Sequence, residues 1–118
     1  MKHIKIYENF TNIIIVEDII KKYGNEDAEF FLKTLLTGKY VKITDGYVTK
    51  YKNMDVTVSH VSINGVVERI FYISTSGFTI IRFEDETDIV INRSKIYCDD
   101  YLDINSVDML INSKKYNL

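Results

Sequence analysis

A chain of 118 residues is the size of one domain and long enough to bury about two-thirds of the surface its unfolded form exposes. Its 46% hydrophobic and 27% charged content fits a folded, globular chain and excludes the polar, highly charged composition of disordered ones. A formal net charge of −2 supplies no overall positive field to gather nucleic acid, and the single cysteine, Cys98, leaves no intramolecular disulfide to form, which fits a reducing compartment.

The first elements read as follows. Ile4 and Ile6 alternate with charged neighbours and predict a strand over 2–7. Residues 13–23 fit two patterns: Ile13, Ile14, Ile15 and Val16 read as a buried strand, whereas Val16, Ile19, Ile20 and Tyr23 recur at helical spacing. The helix is the favoured reading, from Thr11 as N-cap to Gly24 as its stop. A second helix follows Asn25. Glu26, Asp27 and Glu29 suit its positive end, and Phe30, Phe31, Leu32, Leu35 and Leu36 form its apolar stripe before Gly38.

After Gly38 the pattern changes to short β-rich runs. Two strands at 40–44 and 47–52 flank Asp45-Gly46, and Asn64-Gly65 predicts a two-residue hairpin because both residue types accept positive φ. Pairing Ile63 with Val66 across that turn sets Val58 opposite Phe71 and His60 opposite Arg69. A connection at 74–77 then sets Ile73 opposite Phe78, Ile80 opposite Phe71 and Arg82 opposite Arg69. A tight turn at Asp85-Glu86 sets Arg82 beside Ile89. In this register Val56, Val58, Phe71, Ile73, Phe78, Ile80 and Ile91 share one apolar half-face for helices to cover. A further strand at 96–98 is followed by a closing helix. Asp103 or Asn105 is its N-cap, Val107, Leu110 and Ile111 its apolar side, and Lys114 and Lys115 lie toward its negative end. The predicted fold is a single α+β domain over 1–118, an antiparallel β-meander of about five to seven strands with two N-terminal helices and a short C-terminal helix packed on one face.

Catalytic chemistry finds little to build on. Imidazole bases are limited to His3 and His60, and Ser59, next to His60, points to the opposite face of its strand while Ser62 shares the face. Cys98, Asp99 and Asp100 form the one local group of metal-type ligands, without the spacing of a zinc or calcium site, and read instead as a buried thiol before a solvated turn. The five glycines are scattered at helix stops and turns rather than gathered into a phosphate loop. No enzyme, metal or cofactor is expected.

Two groups of residues stand out as binding candidates. His60, Arg69 and Arg82 become neighbours across three strands in the predicted register, which suggests a site for an anion or an acidic partner surface. The plain alternative has long arginine stems lying off the edge of the core with their heads in water. Tyr47 and Tyr51, sharing parity on one strand with Lys50 and Lys52 on its other side, suggest a partner-binding surface, though ordinary β-propensity explains tyrosines in a strand equally.

The abundance of Ile, Lys, Asn, Tyr and Phe, with one Ala and no Pro, tracks AT-rich coding. The expected function is therefore that of a non-enzymatic phage or mobile-element protein in a host cell's cytoplasm, inhibiting or modulating a host protein by direct contact, as anti-defence proteins such as anti-CRISPRs do. Two alternatives stay open: a domain that binds a phosphorylated small molecule or nucleotide signal, and a single-stranded nucleic-acid binder using the Tyr and Lys strand. A membrane partner is not expected, since no apolar run approaches about 20 residues. A second copy of the chain is a candidate partner through an open strand edge.

Overall fold

The computed structural model describes residues 12–73, 78–92 and 94–116, and the strand expected at 2–7 lies outside them. Residues 13–23 satisfy both of their sequence patterns in succession, as a short strand β1 (Ile13–Ile15) and then a helix α1 (Val16–Tyr23). The favoured single helix is therefore corrected: the N-terminal boundary is Ile15, in extended conformation. The first helical amide, Val16 N–H, donates to the Ser94 carbonyl at 3.1 Å, and Ile14 is buried between exposed Ile13 and Ile15. Gly24, at φ 87°, stops α1 and starts α2 (Asn25–Leu36), as its sequence position implied. Ala28, Phe31, Leu32, Leu35 and Leu36 form the buried side of α2.

Two long strands then carry the fold, β2 (Tyr40–Tyr51) and β3 (Met54–Ile73), followed by β4 (Phe78–Phe83), β5 (Asp88–Ile91) and β6 (Lys95–Cys98). All pairings among the described residues are antiparallel, in the order β1-β6-β2-β3-β4-β5, and β5 returns to pair with β2 so that the sheet closes on itself. One edge of β2 takes two partners, β6 along Val41–Thr44 and β5 along Tyr47–Lys50. A C-terminal helix, α3 (Ile104–Tyr116), starts at Asp103, whose carboxylate accepts from the Ser106 amide at 3.2 Å and hydroxyl at 2.6 Å.

Neither expected Asx-Gly turn forms. The hairpin between β2 and β3 is made by Lys52 and Asn53, with φ of 50° and 65°, the pair of positive values that a type I′ turn requires. Asp45-Gly46 lies within β2 and Asn64-Gly65 within β3. A Cβ on Gly46 would sit 2.7 Å from Ile89 Cδ1, and one on Gly65 would sit 2.7 Å from Phe83 Cγ. These glycines serve the close approach of side chains from β5 and β4 rather than chain reversal.

The apolar half-face proposed for the helices is also the wrong face. A single buried row, Val48, Ile89, Ile81 and Ile70, crosses four strands through direct pairing, and Val41, Ile43, Val67, Phe83, Ile91 and Ile96 extend it. Of the seven residues expected inside, Ile91 is buried. Val58 and Phe78 are exposed, Val56, Phe71 and Ile80 are half-buried, and the Ile73 side chain lies outside the described set. Both faces of these strands are apolar, as Ile70 beside Phe71 and Ile80 beside Ile81 show, so alternation alone selects neither.

The helices cover the barrel, with α2 against β3, where the Tyr72 amide donates to Glu29 Oε1 at 3.2 Å, and α3 against α2. Cys98 is buried, its thiol 3.6 Å from the Tyr40 carbonyl, and burial pushes its pKa up. No helix among the described residues is long and apolar enough to cross a membrane.

One contact between helices sets an alkaline limit. The Tyr23 hydroxyl donates to Asp108 Oδ1 at 2.5 Å, and its ring stacks on Phe31 with centroids 5.0 Å apart. Burial, then the hydrogen bond and charge of Asp108, push the Tyr23 pKa from 10.0 up to about 12. The folded state holds this proton more tightly than the unfolded one. Its stabilisation is therefore complete below pH 10 and is lost as pH rises through about 12. Tyr23→Phe should remove that part of the alkaline decline, which urea midpoints measured across this window will show; parallel declines in both proteins would mean the hydrogen bond contributes nothing.

Candidate functional site

The outward side of the closed sheet carries two adjacent rows that run parallel to the buried one. Tyr47, Val90, Ile80 and Phe71 face each other across β2, β5, β4 and β3, and Lys50, Asp88, Arg82 and Arg69 do the same, three residues further along β2 and two along the other strands. A bulge between Val48 and Lys50 puts Tyr47 and Lys50 on one side, which corrects the expectation that tyrosines and lysines of β2 face apart. Of the seven residues singled out in the sequence, Tyr47, Lys50, Arg69 and Arg82 thus share one surface.

The register behind the charged row follows from a turn. Glu84, Asp85 and Glu86 form a three-residue loop. Phe83 N–H donates to the Thr87 carbonyl at 2.9 Å, Thr87 N–H donates to Asp85 Oδ1 at 3.0 Å, and Glu86 adopts φ 73°. An odd loop shifts the pairing by one residue, so Asp88 rather than Ile89 meets Arg82. Arg82 Nε donates to Asp88 Oδ1 at 2.7 Å and Nη2 to Oδ2 at 2.9 Å, a bidentate pair that holds the guanidinium's pKa above its ordinary value. The expected cluster of cations without a carboxylate among them is therefore corrected: Arg69 does pair with Arg82 across the strands, but a carboxylate neutralises Arg82.

His60 belongs to a different part of the same strand. With no hairpin at Asn64-Gly65, its backbone lies in the arm of β3 that pairs with β2, while Arg69 lies in the arm that pairs with β4. Arg69 places its guanidinium 5.0 Å from the centre of the Phe71 ring, and Lys52 sits 5.1 Å from the centre of the Tyr51 ring. Tyr51 pairs with Met54 at the hairpin tip, and Tyr47, Tyr51 and Met54 are 39%, 41% and 64% exposed.

Beside the charged row lies a cavity of about 260 Å³ lined by Lys50, Asn53, Glu68, Arg82 and Glu86. Asn53, Glu68, Glu86 and Asp88 are not among the site residues expected from the sequence, where Glu86 and Asp88 belong to an acidic run from Glu84 that reads as a solvated turn. The Asx-turn side chain of Asp85 is the signal that could have placed Asp88 beside Arg82, because it marks the longer loop and hence the shifted register. The geometry offers an aromatic and aliphatic centre with a mixed-charge border, the composition of a contact surface. Comparison with known protein families, characterised proteins and solved structures gives no match.

Proposed function

We propose that this chain is a non-enzymatic binding protein of a phage or other mobile element that docks on a host protein and modulates it, an inhibitor of the anti-defence type, and that its docking surface is the outer face of the barrel. The observation that carries this reading is the row Tyr47, Val90, Ile80 and Phe71, an apolar stripe left on the outside of a sheet whose core is already filled by the row behind it. Flanking Arg69, Lys50 and Lys52 give that stripe a polar border, and rigid tyrosines supply contact area at low entropic cost. The AT-rich coding bias supports the mobile-element origin.

The test uses the whole chain as bait in an extract of an AT-rich host, with a variant in which Ile80→Thr and Val90→Thr keep β-branched shapes but remove apolar contact. One host protein should be retained at fixed stoichiometry by light scattering, with its affinity falling about 100-fold in the variant. Failure to retain a stoichiometric partner, or retention that the variant leaves unchanged, rules the reading out. The same light-scattering run separates the 13.8 kDa chain from a pair of copies.

A further inference from the structure

We propose that the outward face of α3 pairs with the same face of a second copy of this chain, the two helices lying antiparallel about a two-fold axis; this goes beyond the docking reading and does not rest on it. The other sides of α3 are already engaged. Val107 and Ile111 are buried in the core, Asp108 accepts from the Tyr23 hydroxyl of α1, and Lys114 reaches Asp27 of α2. On the remaining side Met109 and Leu110 are 68% and 51% exposed, around a hollow of about 430 Å³ that Ser106 and Ser113 complete. Leu110 also lines a second hollow, of about 400 Å³, together with Leu35 of α2 and the exposed Tyr101. Large apolar side chains standing beside open hollows are the two halves of a knob-and-hole contact.

The charges at the ends of this face name the occupant. Asp103, Leu110 and Lys114 lie along one side of the helix, because separations of seven and eleven residues are close to two and three whole turns. A two-fold axis between Met109 and Leu110 brings like sides together and sets Asp103 of each copy within about 3 Å, along the axis, of Lys114 of the other. Both groups have capacity left: the Asp103 carboxylate accepts only from Ser106, and the Lys114 ammonium has donors beyond the one directed at Asp27. In this arrangement Met109 meets Leu110, Ser106 meets Ser113, and the positive start of each helix lies beside the negative end of the other. A parallel copy would instead set Asp103 against Asp103 and Lys114 against Lys114. The 13 residues of α3 span about 20 Å, less contact than the roughly 800 Å² per partner of a standard interface, so the pair is weak, with a Kd on the order of 100 µM.

Sedimentation of the full chain from about 10 µM to about 1 mM should show a reversible dimer. Met109→Glu/Leu110→Glu and, separately, Lys114→Glu, each folded by its circular dichroism, should dimerise about tenfold more weakly or worse. Direction and register are read by cross-linking. A Ser106→Cys chain mixed with a Ser113→Cys chain should form a disulfide-linked pair under oxidised glutathione faster than either chain alone, since each substituted position lies about 10 Å along the axis from its own counterpart. A monomer throughout the range, whatever host protein then covers α3, a dimer that either variant leaves intact, or Ser106→Cys linking to itself as readily as to Ser113→Cys each overturns the assignment. No variant alters Tyr47, Val90, Ile80 or Phe71, so the docking reading stands or falls on its own experiment.

Discussion

Gly65→Ala should cost about 2 kcal/mol, and the Phe83→Leu change should relieve part of that loss. The added methyl group would stand 2.7 Å from Phe83 Cγ and 2.8 Å from Cδ2, closer than van der Waals contact allows, and Phe83 is buried in a core of the close-packed kind. Strain of this kind belongs to the pair. Gly65→Ala/Phe83→Leu should be less destabilised than the two single changes added together, because the smaller, flexible leucine can yield. Were Gly65 instead the second residue of a hairpin, its substitution would strain the backbone whatever stood at position 83, and the two effects would add. Urea denaturation of the four proteins decides between these outcomes; strict additivity would refute the continuous strand.

Arg82→Leu alone should destabilise by about 2–3 kcal/mol, more than a surface ion pair is usually worth. Its partner is the reason. The Asp88 side chain is 11% exposed, so the loss of two charge-assisted hydrogen bonds leaves a carboxylate that water reaches poorly. The arginine end, at 35% exposure, keeps the figure below that of a sealed pair. Changing both residues, Arg82→Leu with Asp88→Val, restores a matched apolar pair in the middle of a sheet and should recover most of the stability. Guanidinium-induced unfolding measures the cycle, and a coupling near zero would show that the register across β4 and β5 is not the one described.

The helical parts of this fold were legible because their signals are local. Gly24 and Gly38, the acidic residues after Asn25 and the Asp103 cap each act within one turn of the chain. The strands were legible as strands but only in part in their pairing. Asn64-Gly65 carries the chemistry of a hairpin turn, yet Gly65 is required by a ring from β4, a neighbour that no local pattern names. Lys52-Asn53 turns the chain with a less obvious pair, since Lys52 must accept φ 50°. The downstream pairings Ile73 with Phe78, Phe71 with Ile80 and Arg69 with Arg82 were read correctly because they do not depend on what happens upstream at Asn64-Gly65. One residue more in the next loop then moved Asp88 into the place assigned to Ile89. That single shift turned a supposed cluster of cations into a balanced one, and Tyr47 and Lys50 gained their common face only through a bulge in β2.

The double engagement of β2 shapes how the molecule comes into being. During synthesis Tyr40–Tyr51 and its hairpin partner leave the ribosome before β5 and β6, so the edge of β2 that faces those strands has nothing to bond until residues 88–98 have followed. Until then the growing chain displays an open strand in the crowded cell, so slow translation through this stretch would favour clumping, and rapid release of the complete polypeptide is the safer course.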